Sequence, residues 1–323
     1  MRTGRASALT DTGRRRPQNE DTFVCDPPLY AVADGVGGAQ AGEIASRLAA
    51  TALEERAPDA LGEETLVTLL QAANDRIYKH ALEDPLAAGM GTVVTALLVN
   101  EEAGQVAIGH VGDSRAYRLR DGVLEQLTAD HSLVGELVRA GQLSAEEAEQ
   151  HPHRSVITRA VGTEPSLEVE TLSVETAPGD LYLICSDGLT DIVRDAEIAG
   201  LILSAGKDPD AAAEALVAAA NRNGGIDNIT VVLFEIVEGE PLPREERVEA
   251  QATPDPEPDE DTMEQAVQAA EASEPEPVAA VAPRAGVNRF GAGKGKGGRW
   301  LALLAILLVL GAAAFIVWWS IGR

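Results

Sequence analysis

Five aspartates stand where apolar runs begin or stop. Asp34 follows Leu29–Ala33 and leads into Gly35-Val36-Gly37-Gly38, and Asp187 follows the run Leu181–Ser186. Asp113 lies in Gly112-Asp113-Ser114-Arg115, behind Gln105–Val111. Asp21 opens the run that precedes Leu29, and Asp227 the run Ile229–Val237. A carboxylate at the end of a buried strand is unfavourable unless it is paired or bound to metal. In an antiparallel pair the start of one strand lies beside the end of its neighbour. That puts Asp21 beside Asp34 and lets Asp227 fall beside Asp187, with both pairs at one edge of the sheets. Such a group of acids stays ionised only with cations present. Oxygen ligands without His or Cys select hard ions such as Mg²⁺ or Mn²⁺ over Zn²⁺. The glycines behind Asp34 carry no side chain, so the backbone there can approach a ligand closely. Each acid alone reads equally well as a turn residue or a helix cap; the series points to a metal site.

The elements that must position these acids follow from periodicity. Thr3–Thr10, Thr22–Cys25 and Leu29–Ala33 read as strands, the last one stopping at Asp34. Ala41–Arg56 and Glu63–Glu83 read as amphipathic helices. Thr92–Val99, Gln105–Val111 and Ala116–Leu119 are strands again, the last closed by the hairpin signal Asp121-Gly122. Ser132–Glu149 reads as one polar helix, with Ser144-x-x-Glu147 fitting a capping box. Strands at Val169–Val174 and Leu181–Ser186 flank Pro178-Gly179-Asp180, and helices at Ala196–Leu203 and Asp210–Asn221 precede the final strand Ile229–Val237. Strands in runs with helices grouped between them favour an α+β sandwich over an alternating doubly wound fold.

Charge separates the chain into parts. Residues 1–239 hold 39 Asp and Glu against 18 Lys and Arg, a net charge of −21. Such a domain repels a phosphate backbone, which disfavours nucleic acid as a partner and suits a site that collects divalent cations. Cys25 and Cys185 make no disulfide framework, and neither has Arg six positions on, so a cysteine-nucleophile phosphatase loop is absent. Residues 240–283 carry thirteen acids and two bases among Pro and Ala and no aromatic residue, the composition of a disordered linker. Residues 284–299 turn basic and glycine-rich, with Arg284, Arg289, Lys294, Lys296 and Arg299. Trp300–Ile321 then runs twenty-two residues without a charge. At helical rise that run spans about 33 Å, enough to cross a hydrocarbon core, with Trp300, Trp318 and Trp319 at its ends. The expectation is a folded domain over 1–239, a linker over 240–299 and a single transmembrane helix over 300–321. The bases on the N-terminal side of that helix put the domain in the cytoplasm, tethered to the cell membrane.

A family resemblance rests on motifs in series. Asp11-x-Gly13-x-x-Arg16-x-x-Asn19-Glu20-Asp21, Ala33-Asp34-Gly35-x-Gly37-Gly38, Met90-Gly91-Thr92, Gly109-x-x-Gly112-Asp113-Ser114-Arg115, Ser186-Asp187-Gly188-Leu189 and Asp227-Asn228-x-Thr230 occur in that order. They resemble the metal-dependent serine/threonine protein phosphatases of type 2C. The resemblance implies a four-layer α-β-β-α sandwich of two mainly antiparallel sheets, with two Mn²⁺ or Mg²⁺ ions at one edge. It implies Asp34 as bridging ligand, the Gly35 carbonyl, Asp187 and Asp227 as further ligands, and Asp21 behind them. Asp113 resembles a ligand of a third ion seen in bacterial members, helped by Ser155 from a flap over 132–155 and by Asp191.

Within that resemblance a bridging hydroxide attacks the phosphoserine or phosphothreonine ester, and no phosphoenzyme forms. Arg16 is the candidate phosphate clamp, because a planar guanidinium matches two phosphate oxygens. Eukaryotic relatives carry a histidine after the Asp-Gly pair; Val36 stands there in this chain, which leaves the general acid unassigned. His80, His110, His131, His151 and His153 read as structural or surface residues. The tail resembles that of bacterial phosphatases tethered beside membrane serine/threonine kinases, the expected partners. Two alternatives are a membrane-tethered pseudophosphatase that binds phosphoproteins without turnover, and a phosphatase acting on a sigma-factor regulator.

Overall fold

Two antiparallel sheets of five strands carry the domain, and the alternation of side chains along their central strands explains how both faces are buried. The structure is a computed structural model that describes residues 1–36, 41–55, 60–144, 147–148 and 150–239. One sheet has the order β1 (Arg2–Asp11), β10 (Ile229–Val237), β9 (Leu181–Cys185), β6 (Arg115–Arg120) and β7 (Val123–Gln126). The other has β2 (Asp21–Asp26), β3 (Leu29–Val36), β4 (Gly91–Asn100), β5 (Gln105–Val111) and β8 (Glu170–Glu175).

On β3, Tyr30 and Val32 point between the sheets while Ala31 and Ala33 face the helices. On β10, Val232, Phe234 and Ile236 point inward and Val231 and Leu233 outward. Phe234 stacks on Tyr30 and Tyr182 at centroid distances of 4.1 and 5.0 Å, filling the middle of the sandwich in a chain poor in aromatics. Helices α1 (Gly42–Glu54) and α2 (Glu63–Glu83) cover the outer face of the second sheet, where small residues such as Ala45, Ala49 and Ala73 allow close approach. Helices α5 (Asp195–Ser204) and α6 (Pro209–Arg222) cover the first sheet through Ile198, Ile202, Ala212 and Leu216. The order of layers is helix, sheet, sheet, helix.

Several elements depart from the sequence reading. Strand β3 does not stop at Asp34 but stays paired with β4 as far as Val36. The single helix expected over 132–149 is interrupted: α3 covers Leu133–Arg139, capped by the Ser132 hydroxyl, which accepts from the Gly135 N–H at 3.1 Å. Gly141 beyond it adopts φ 68°, the left-handed stop that glycine supplies. The capping box further on is present, with Ser144 N–H donating to Glu147 Oε2 at 2.8 Å and Glu147 N–H to Ser144 Oγ at 3.2 Å. Strand β7 and the short helix α4 (Asp187–Thr190) were not expected as elements. Gly37 and Gly38, the linker over 240–299 and the apolar segment over 300–321 lie outside the described residues. Among the described residues no helix is long and apolar enough to cross a membrane.

Candidate active site

Each acid reaches the site by a different element. The β2–β3 register sets Asp21 directly opposite Asp34. Asp187 is the first residue of α4, after β9 ends at Cys185, so its backbone differs from that of Asp34, which lies within a strand. Asp113 sits where the chain leaves β5 in one sheet to enter β6 in the other. Asp227 precedes β10, and its Oδ1 accepts from the Asn228 N–H at 2.8 Å. Acids from both sheets therefore meet where the two sheets end together. A cavity of about 650 Å³ opens there, lined by Arg16, Asp34, Gly35, Asp113, Ser155, Asp187, Asp191 and Asp227. Those are all the nominated residues except Asp21, which lies buried behind Asp34. Gly35 is held to this composition by space, since a Cβ there would lie 2.3 Å from the Gly42 carbonyl oxygen.

The electrostatics of the group are those of uncompensated acids. Asp34 and Asp187 face the cavity on one side and are otherwise set deep in protein. Burial, then mutual repulsion with the neighbouring aspartates, pushes both well above the usual carboxylate range. Burial likewise lifts Asp113 to about 7, with Asp130 adding to it, and Asp21 to about 6. Among the described residues Asp34, Asp113 and Asp187 have no ion-pair partner. Asp21 Oδ2 accepts from Ser186 Oγ at 2.8 Å, while its Oδ1 is buried with no hydrogen-bond partner.

These donors are all oxygen, which fits hard divalent cations. Among the described residues no three His, Cys, Asp or Glu side chains close around one point to make a cage. Acids spread along the walls of an open cavity suit ions that complete their shells with water, a main-chain carbonyl and phosphate oxygens.

Arg16 stands half-exposed at the mouth, its Nη2 donating to Asp227 Oδ2 at 2.7 Å. Asp191 lies at the exposed rim, 3.9 Å from Arg154 Nε. The sequence reading did not nominate Arg154, Glu20, Ile157 or Ile226, which also line the cavity. Glu20 was legible as the neighbour of Asp21, whereas Arg154, Ile157 and Ile226 lie in irregular segments that carry no periodic signal. Val36 does line the cavity and has no proton to give. None of the five histidines lines it; His110 and His131 are buried, their rings tilted at 37° to each other with centroids 4.7 Å apart. Burial raises the thiols of Cys25 and Cys185 to about 11 and about 12, so neither is a nucleophile.

The profile of the protein phosphatase 2C family matches residues 19–219. Over 242 residues the chain is 39% identical to the serine/threonine phosphatase stp of Listeria innocua, covering 71% of this chain and 95% of that protein. It is 41% identical over 242 residues to the serine/threonine protein phosphatase PstP of Mycobacterium tuberculosis, covering 72% of this chain and 45% of that one. The fold is similar to the crystal structure of the M. tuberculosis phosphatase PstP/Ppp, with a TM-score of 0.68 at 38% identity over 72% of this chain and 99% of that chain. It is also similar to the PstP catalytic domain in complex with two manganese ions, with a TM-score of 0.65 at 37% identity over 72% and 98% of the two chains.

Proposed function

This chain belongs to the protein phosphatase 2C family and is a protein serine/threonine phosphatase, and from that premise we propose how its cavity works and where it works. Asp34, the Gly35 carbonyl, Asp187 and Asp227 hold two Mn²⁺ or Mg²⁺ ions, Asp113 with Ser155 and Asp191 holds a third, and Asp21 supports Asp34 from behind. The observation that carries this reading is that Asp34, Asp113 and Asp187, raised in pKa and without ion-pair partners among the described residues, line one open cavity together with Asp191 and Asp227. When bound, the ions supply Lewis acidity that activates water at neutral pH and neutralises charge on the phosphoryl group. The chain's own residues do the rest. Arg16 at the mouth binds two oxygens of the substrate phosphate. The ion pair between Arg16 and Asp227 keeps the guanidinium turned toward the cavity. Hydrolysis of a phosphothreonine peptide in Mn²⁺, stopped by EDTA and restored by added Mn²⁺, is the expected result. Activity indifferent to chelation would overturn the metal reading, and metal binding without turnover would favour the pseudophosphatase.

We further propose that residues 300–321 anchor the protein in the cell membrane with the catalytic domain in the cytoplasm. The length and lack of charge of this segment, and the five bases just before it, support that reading. A spacer over 240–299 of about 60 residues has an r.m.s. reach of roughly 45 Å as a flexible chain, which concentrates the domain on juxtamembrane substrates such as serine/threonine kinases. Residues 1–239 alone should hydrolyse peptides fully yet reverse kinase phosphorylation poorly in cells, and an unrelated transmembrane helix after Arg299 should restore that function. Equal complementation by the untethered domain would overturn the tether. Accumulation of a phosphorylated sigma-factor regulator, rather than of kinase, in a deletion strain would favour the other substrate.

A further inference from the structure

The segment that carries Arg16, residues 12–20, has no helix or strand of its own to fix it. Its two arms are tied instead to one carboxamide. Asn228 Nδ2 donates to the Thr12 carbonyl at 3.0 Å and to the Gln18 carbonyl at 2.9 Å, so a single side chain bridges both ends of the loop. Asn228 Oδ1 accepts from the Glu20 N–H at 2.8 Å. Two carbonyl acceptors and one N–H donor leave only one orientation of the amide. The residue is 4% exposed, so water does not substitute for these partners. Its own N–H donates to Asp227 Oδ1, and Asp227 Oδ2 accepts from Arg16, which closes a ring of bonds from the root of the loop to its tip. Two main-chain bonds add to this, Arg14 N–H to the Gly225 carbonyl at 2.7 Å on the first arm and Gly35 N–H to the Glu20 carbonyl at 3.2 Å on the second. A carboxylate in the same place would set the oxygen that replaces Nδ2 against the Thr12 and Gln18 carbonyls.

We propose that Asn228 is a positioning residue for phosphate binding, holding the 12–20 loop so that Arg16 stands at the cavity mouth. This rests on the reading of Arg16 as the phosphate clamp. Because the role runs through Arg16, its effect must vanish when Arg16 is absent.

The test is a double-mutant cycle on phosphothreonine peptide hydrolysis at saturating Mn²⁺, with Arg16→Ala, Asn228→Ala, the isosteric Asn228→Asp and each combined with Arg16→Ala. Arg16→Ala should raise KM about tenfold with a smaller change in kcat, the signature of lost uniform binding. Asn228→Ala should raise KM about threefold and Asn228→Asp by at least as much, since a released loop costs a fraction of the clamp. Neither substitution should raise KM further in the Arg16→Ala background. Hydrogen exchange should show lost protection at the Arg14 and Glu20 amides in both Asn228 variants. If Arg16→Ala raises KM but Asn228 substitution multiplies it further, or leaves it unchanged in the wild-type background, the positioning role is overturned and the clamp stands. If Arg16→Ala leaves KM unchanged, the clamp falls and the positioning role with it.

Discussion

Strand β9 has a deep-set aspartate beyond each of its ends, and the two are treated in opposite ways. Asp180, before Leu181, is 1% exposed. Arg120 grips it with a fork, Nε to Oδ1 at 2.7 Å and Nη2 to Oδ2 at 2.5 Å, while the Thr176 hydroxyl and the Ala177 N–H also donate to Oδ2. Burial alone would raise its pKa, but Arg120 and those donors carry it below the usual value. Asp187, beyond Cys185, has no ion-pair partner among the described residues and meets Asp113, Asp191 and Asp227, and both burial and those neighbours raise it. One end of the strand is a satisfied structural knot; the other is left unsatisfied, as a site for cations must be. Burial of a carboxylate therefore says little about its role until its partners are counted.

Asp187→Asn should break the comparison most sharply. It should lower kcat in Mn²⁺ by about a thousandfold or more while leaving the metal-free melting temperature unchanged or higher, since it removes a repelled charge. A variant within threefold of wild type in kcat would refute its place in the site. Asp180→Asn should do the reverse. It weakens the grip of Arg120 and should destabilise the fold by about 2 kcal/mol, below the roughly 3–5 kcal/mol of a fully buried pair because solvent reaches Arg120. For a domain of this size that is a melting-temperature drop of about 6 °C, with kcat within about twofold below the transition. Unchanged thermal denaturation would show that the knot contributes nothing. The smallest effect falls to Asp21→Asn, which keeps an acceptor for Ser186 and gives Asp34 a donor. Metal-free stability should rise by about 1 kcal/mol and kcat should fall less than about tenfold, read by calorimetry and peptide hydrolysis.

The unsatisfied end was legible in the sequence and the knot was not. Strand ends and antiparallel geometry suffice to bring Asp21 to Asp34, because a connection of only two residues, Pro27-Pro28, sets Asp26 opposite Leu29, and counting back along both strands meets Asp21 at Asp34. Asp180 reads as an ordinary Pro-Gly-Asp turn residue, and nothing in the spacing of Arg120 announces a partner sixty positions on. Local pattern also misled over residues 132–149, where a polar stretch with few breakers hid the stop at Gly141. Strand β7 is short and mostly exposed, so it lacks the apolar alternation that reveals a strand. Asn228 stands in the motif Asp227-Asn228-x-Thr230, but the role of its carboxamide was not legible there, because its partners are main-chain groups, which leave no trace in side-chain type.

Thermal unfolding of the domain with and without Mn²⁺, from about pH 5 to about pH 8, tests the central claim most directly. Asp34 and Asp187 stand well above their ordinary values, Asp113 is raised to about 7 and Asp21 to about 6, so the metal-free fold holds protons that the unfolded chain has released. For acids raised in this way, stability is lost as pH climbs from the unfolded value through the folded one. The metal-free melting temperature should therefore fall across this range, and Mn²⁺, by holding the carboxylates ionised, should raise it more at the alkaline end than at the acid end. A metal-free melting temperature indifferent to pH, together with no rise on adding Mn²⁺, would contradict the account.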